Sequence, residues 1–280
     1  MEDFEFEDYR TFLTIAASDC IGGAGIQADI KAAREYCVYS ASVVTAVTAQ
    51  NSRGVVATMP MTPEIVRRQL ECVFQDFTPD AIKIGLLPTP EIVETVNDFL
   101  EEHLSPNTPV IIDPVLSPSF GNDFGDTRGV ATAMLDGLLQ KATLITPNEK
   151  ELRLLVEAIT DSEEKNEIKD LVGFLHLRGI DSILVTGGDT SKGTYVTDTL
   201  YRFGQKPYQF KTERVDTSNL HGTGCLFSSQ IACNLARNGT DRPIEHVIDF
   251  CKKLLAAGLD LYKDFEFGSG YGPADFFVDD

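Results

Sequence analysis

Short apolar runs alternate with amphipathic stretches along nearly the whole chain. Residues 11–17 (TFLTIAA) form the unbroken apolar run that a strand buried on both faces requires. Similar runs at 42–48, 80–84, 110–113, 143–146 and 182–186 predict further buried strands, and 55–59 predicts a more exposed one. Between them, helical periodicity predicts helices over 28–36, 62–77, 89–102, 127–140, 149–157, 164–178, 224–238 and 243–262. Thr62 caps one of these with Pro63 in its first turn, and Pro90 opens another in the same way. Segments 194–201 and 207–212 read as a hairpin, and 115–125 as a loop rich in Ser, Pro, Gly and Asn.

Strands alternating with helices imply βαβ units: an α/β fold with a mainly parallel central sheet and helices on both faces. No linker or repeat divides the 280 residues, so residues 11–280 are expected to form one domain behind an acidic, solvated tail at 1–10. A formal charge of −19 repels phosphate backbones and anionic surfaces, which argues against nucleic acid and membrane as partners. An anionic substrate would need a local positive site. The six cysteines show no CxxC pair or metal spacing, and the start lacks the basic and apolar regions of a signal peptide, so a reducing, cytoplasmic setting is expected. No apolar run approaches the roughly 20 residues that span a bilayer.

In open α/β sheets ligands sit beyond the carboxyl ends of the strands. Five polar clusters follow predicted strands. Asp19-Cys20-Ile21-Gly22-Gly23-Ala24-Gly25 is a glycine turn opening a helix that carries Asp29; it matches neither the P-loop nor the GxGxxG pattern. Asp19 and Asp29 read either as ligand contacts or as turn and helix residues. His221-Gly222-Thr223-Gly224-Cys225 enters an apolar helix, whose free N–H groups make an anion site. A thiol there should have its pKa lowered, so Cys225 is a candidate base, or else a small core residue. Asn148 and Glu151 suit Mg²⁺ and its waters, and fit a capping box equally well. Asp113 closes the strand VIID, as a crevice carboxylate or a turn residue. Gln50, in Gln50-Asn51-Ser52-Arg53-Gly54, offers a donor and an acceptor to a pyrimidine edge, or belongs to a polar loop.

The stretches LTIAASD, GGAGIQADIK, TAVTAQNSRGV, AIKIGLL, VIIDPVL, ITPNEKE, ILVTGGD and HGTGC, in this order, resemble the hydroxymethylpyrimidine/phosphomethylpyrimidine kinases of thiamine biosynthesis, in the ribokinase-like superfamily. The resemblance runs from about residue 12 to 273 and implies a three-layer αβα sandwich, usually a homodimer. It implies ATP- and Mg²⁺-dependent phosphorylation of a hydroxymethyl group on an aminopyrimidine. By the same resemblance Gln50, Asp19, Asp29 and Gly23 would bind the pyrimidine, and Gly222, Thr223 and Gly224 would form the anion hole. Cys225 would be the base; Asp113, Asn148 and Glu151 would organise Mg²⁺; and Asn148, Thr186 and Gly188 would meet the nucleotide. Thr186 stands where family members often carry Lys, which weakens the case for phosphorylating the monophosphate as well. The 117–122 loop, Ala17 and Leu220 also depart from the family pattern. Two alternatives stand beside this reading: a pyridoxal or pyridoxine kinase of the same branch, and a catalytically silent protein that binds a vitamin precursor. The presence of Cys225, Asn148 and Glu151 argues against silence.

Overall fold

A computed structural model describes residues 9–117, 125–160, 166–188 and 193–274. Its nine strands form one sheet in the order β3-β2-β1-β4-β5-β6-β7-β8-β9. The strands are β1 (Thr11–Asp19), β2 (Tyr39–Asn51), β3 (Gly54–Pro60), β4 (Ala81–Ile84), β5 (Val110–Ile112), β6 (Leu144–Ile145), β7 (Ser182–Val185), β8 (Tyr195–Arg202) and β9 (Tyr208–Glu213). The pairs from β2 through β1, β4, β5 and β6 to β7 are parallel. Antiparallel β3 extends one edge, and the β8–β9 hairpin the other. The chain leaves β1 for β2 on one side and returns to β4 on the other, so the strand order reverses at β1. A crevice at such a switch point, beyond the carboxyl ends, is where this architecture binds ligands.

Alternation along the strands feeds two cores. Leu13, Ile15, Ile82, Ile84, Val110 and Ile112 pack into one, beneath α2 (Pro63–Asp76), α3 (Pro90–His103), α4 (Thr127–Ala133), α5 (Glu149–Thr160) and α6 (Ile168–Leu177). Phe12, Ala81 and Ile111 point the other way, toward α1 (Gly25–Glu35), α7 (Thr223–Asn238) and α8 (Ile244–Leu261). This is the expected three-layer sandwich. Thr62 and Thr89 cap α2 and α3 by accepting from the N–H of Ile65 and Ile92, each with Pro in the first turn. Among the described residues no helix is long and apolar enough to cross a membrane.

Three expectations change. The polar stretch at Gln50 is strand, not loop: β2 runs 13 residues to Asn51 and turns directly into β3. The helix expected over 127–140 leaves α geometry after Ala133, and Gly137 breaks it with φ 165° and ψ −37°. Helix α1 starts at Gly25, three residues early, because Gly25 takes the left-handed φ of 56° that the turn demands. The 1–8 part of the tail and residues 118–124 of the long loop lie outside the described residues.

One polar group sits at the centre of the α1/α7 layer. Lys83, in the middle of β4, is fully buried, and its Nζ donates to Asp29 Oδ1 of α1 at 2.9 Å. Thr14 of β1, opposite Lys83 in the sheet register, donates to Asp29 Oδ2 at 2.5 Å, and Ser229 of α7 donates to Oδ1 at 2.7 Å. Burial opposes the lysine's charge, but Asp29, with Asp113 and Cys225 nearby, outweighs it, and the pKa of Lys83 is raised. Lys83→Met strands the Asp29 carboxylate, so it should cost about 3–5 kcal/mol in urea unfolding. The double variant Asp29→Leu/Lys83→Met should cost less than either single change. A double variant as unstable as the sum of the two would show that Lys83 and Asp29 are not energetically coupled.

Candidate active site

Two helix N-termini converge beyond the carboxyl end of β1. At the first, Asp19 ends the strand and organises the glycine turn. Its Oδ1 accepts from the N–H of Ile21 at 3.0 Å; its Oδ2 accepts from Gly23 and Ala24 at 3.0 and 2.8 Å. His221 Nε2 donates to the same Oδ2 at 2.9 Å, across 202 residues of chain. Burial raises the Asp19 pKa, but the His221 and backbone hydrogen bonds win, and it lies below the ordinary carboxylate value. Gln27 locks the turn from behind, accepting from the Asp19 N–H and donating to Ser18 Oγ, both at 2.8 Å.

The second N-terminus is that of α7. Gly222 precedes it at φ 82° with no side-chain cap, and a Cβ there would stand 1.7 Å from the Gly23 carbonyl oxygen. A Cβ on Gly23 would meet the His221 ring at 2.4 Å. Glycine at both positions lets the turns interlock, so Thr223, Gly224 and Cys225 open α7 beside the start of α1. The Gly25 N–H faces the Cys225 sulfur. Asp113, 5 % exposed beyond β5, lies across this mouth: its Oδ2 accepts from Ser228 Oγ at 3.4 Å and is 3.8 Å from where a Gly224 Cβ would be. Burial raises the Asp113 pKa, against the pull of Lys83 and the Ser228 and Cys225 hydrogen bonds.

The structure therefore brings Gly222, Thr223, Gly224, Cys225 and Asp113 together, and it corrects several assignments. Asp29 is fully buried with both oxygens engaged by Thr14, Lys83 and Ser229, so it faces no ligand. Asp19 is equally enclosed and acts on the turn, not on a substrate; Gly23 is buried with its N–H held by Asp19. The Cys225 thiol is not acidified. Loss of water pushes it up to about 12, with Asp113 and Asp29 adding to this and Lys83 and the Gly25 N–H opposing it. Asn148 and Glu151 form the capping box in full: Glu151 Oε2 accepts from the Asn148 N–H and Asn148 Oδ1 from the Glu151 N–H, both at 2.9 Å. Among the described residues no three His, Cys, Asp or Glu side chains gather as a metal cluster.

Asn148 and Thr186 are neighbours, joined by a bridge between the ends of β6 and β7. Gly187 N–H donates at 2.9 Å to Asp198, a buried carboxylate paired with Lys252 of α8. Gly188 follows at the exposed end of this turn. Gln50 is half-buried on β2, with the Cys20 sulfur 3.2 Å from its carbonyl oxygen, and its side-chain amide has no partner among the described residues. An open cleft of about 610 Å³ lies between 212–216, which leads into the α7 mouth, and Lys253, Ala256 and Asp260 of α8.

Lys83, the Ser228-Ser229 pair and this cleft were not read from sequence. A lysine inside the apolar strand AIKI is the one signal that pointed to a buried ion pair.

A three-layer sandwich with interlocked helix mouths at the switch point of its sheet defines a ribokinase-like α/β protein. The phosphomethylpyrimidine kinase family model matches residues 19–275, and the chain belongs to that family. It is 35% identical to the hydroxymethylpyrimidine/phosphomethylpyrimidine kinase of Rhizobium meliloti, over 95% of this chain and 96% of that one. It is 37% identical to the chloroplastic thiamine biosynthetic bifunctional enzyme of Arabidopsis thaliana over 95% of its own length, but it spans only 49% of that relative. The ADP complex of Bacillus subtilis pyridoxal kinase shares the fold with a TM-score of 0.76 at 30% identity, covering 90% of this chain and 92% of that one.

The raised pKa of the half-buried Cys225 thiol has a direct chemical consequence. At pH 8, iodoacetamide should label exposed Cys20, Cys37 and Cys72 first, and Cys225 much more slowly. Peptide mapping that found Cys225 among the first thiols modified would contradict the raised pKa.

Proposed function

We propose that this protein transfers the γ-phosphoryl group of ATP to the hydroxymethyl group of 4-amino-5-hydroxymethyl-2-methylpyrimidine, in thiamine biosynthesis. The observation that carries this reading is the α7 mouth. Its uncapped N–H groups face the same opening as Asp113 and Cys225. Phosphoryl transfer needs positioning and charge stabilisation more than covalent chemistry. The N–H groups of Gly224 and Cys225 would hold the migrating group's oxygens; that of Thr223 already donates to the Leu220 carbonyl at 3.3 Å. Cys225, whose sulfur lies at both helix mouths, would take the alcohol's proton as its thiolate; a pKa of about 12 makes that form strongly basic but scarce, so turnover should rise with pH above neutrality. Gln50, whose side-chain amide is unengaged, would read the aminopyrimidine edge. The 610 Å³ cleft beside α8 would take the nucleoside, with Asn148, Thr186 and Gly188 toward its phosphates.

The donor set fits Mg²⁺, which keeps several waters and needs only one or two protein carboxylates. Asp113 would hold it, with Glu151 and Asn148 behind. When bound, Mg²⁺ neutralises charge on the phosphates. We further infer a homodimer and a cytoplasmic setting. Met59 of edge strand β3 lies exposed beside Val47 of β2, which suits an apolar contact with a second copy, and all six cysteines are free. Sedimentation at the mass of one chain would refute the dimer. The likeness to a pyridoxal kinase keeps a pyridoxal or pyridoxine kinase as second reading; the pyrimidine-kinase relatives favour the first.

Incubation with ATP, Mg²⁺ and hydroxymethylpyrimidine should yield a product heavier by one phosphate; a second addition would show that Thr186 permits the next step. Phosphorylated pyridoxine alone would instead establish the second reading, and binding without turnover the silent one. Cys225→Ala should lower kcat by about 10²–10⁴, whereas Gln50→Ala should mainly raise KM for the pyrimidine. A Cys225→Ala loss under fivefold would assign that sulfur to packing.

A further inference from the structure

The segment Gly268-Ser269-Gly270-Tyr271-Gly272-Pro273 has glycine at every second position. The segment leaves a turn at Gly268, which takes a left-handed φ of 71°, and runs on to a bridge between Pro273 and His221. Each glycine is closed by a neighbour. A Cβ on Gly268 would stand 2.6 Å from Ser52 Oγ, one on Gly270 2.2 Å from the Ser52 carbonyl oxygen, and one on Gly272 1.9 Å from Asn219 Oδ1. The segment thus lies directly on two places: the turn after Gln50, and the loop that enters α7.

Hydrogen bonds fasten it at both. On the acceptor side the Ser269 N–H donates to Ser52 Oγ at 3.2 Å, the Tyr271 N–H to the Ser52 carbonyl at 2.7 Å, and Arg53 Nε to Ser269 Oγ at 2.9 Å. On the phosphoryl side the His221 N–H donates to the Gly272 carbonyl at 3.0 Å, and the Ala274 N–H to the His221 carbonyl at 2.9 Å. Asn219, 3 % exposed, anchors the approach, its Nδ2 donating to the carbonyls of Tyr262 and Phe265 at 2.9 and 2.7 Å. Pro273 completes the contact by packing on Gly23, where a Cβ would meet it at 2.9 Å.

We propose that the 268–273 segment is a positioning clamp, which sets the distance and orientation of the Gln50–Gly54 turn relative to the Gly222–Gly224 anion hole. None of its residues needs to touch a substrate. It spans the gap between the part of the site that would hold the acceptor and the part that would hold the moving group. Effective molarity in group transfer depends on that relation, and a displacement of about 1 Å is enough to cost a hundredfold in rate. Gly270 is what lets the clamp seat on backbone, the Ser52 carbonyl, which cannot turn aside as the side chains facing Gly268 and Gly272 can.

The clamp rests on the kinase reading for its kinetic readout, and stands separately on its mechanics. Gly270→Ala in the full chain should lower kcat by about 10–100-fold and leave KM for ATP within about threefold, because the cleft beside α8 is untouched. Hydrogen exchange should quicken together in peptides covering 50–56 and 218–226. Asn219→Ala, which removes two anchors without altering Ser52, should lower kcat more weakly and quicken exchange in the same two peptides, with some rise in KM for ATP because Lys263 and Asp264 of the cleft lie between the anchored carbonyls, and it decides the case if Gly270→Ala does not fold. Wild-type kcat in Asn219→Ala and in any folded Gly270→Ala, or a loss confined to KM for ATP, would overturn the clamp. If the wild-type protein phosphorylates no pyrimidine, the activity reading falls, and exchange still decides: faster exchange at 50–56 with none at 218–226 would mean that the segment couples nothing.

Discussion

The site depends on the contact between two glycine backbones. Gly222 rests on the carbonyl of Gly23 so closely that no side chain fits at that point, and His221 closes the pair by reaching Asp19. A helix begins just beyond each turn. Joining the turns therefore aims two peptide dipoles at one volume, which neither helix could do alone. Everything assigned to the phosphoryl end of the reaction follows from this junction: the N–H groups at the α7 mouth, the Cys225 sulfur between the two helix starts, and Asp113 across from them.

Beneath the junction, Asp29 and Lys83 keep the same two helices in register. Asp29 is on α1, Ser229 on α7, and Thr14 and Lys83 on adjacent strands, so one carboxylate gathers four elements. A buried ion pair is a weak source of stability compared with an apolar core. Its value here is directional, because a carboxylate with fixed donors accepts only one arrangement of the elements that carry them.

The sandwich was legible in the sequence because buried parallel strands are apolar on both faces and stand out from helices whose polar face meets water. Composition misled at Gln50, where a polar stretch reads as loop although β3 pairs with it as strand. The α7 mouth was legible too, since a helix entered through Gly-Thr-Gly without a capping side chain leaves its N–H groups open. The carboxylates were harder. Asp19, Asp29 and Asp113 all lie near strand ends, and only the tertiary fold decides which of them turns inward to serve the backbone and which faces the opening. The acidity expected of Cys225 was overturned for a similar reason: position at a helix start is visible in sequence, whereas the water removed around the sulfur is not. The alternating glycines at 268–272 carried a signal whose meaning depended on Ser52 and Asn219, far away along the chain.

What the α7 mouth offers a ligand is directional: peptide N–H groups whose aim the fold has already set, while the ammonium group of Lys83 behind them is matched by the Asp29 carboxylate. Such donors act over one helical turn and no further. In a molecule carrying a charge of −19, selection for an anion would therefore rest on close fit at that mouth and not on attraction from a distance.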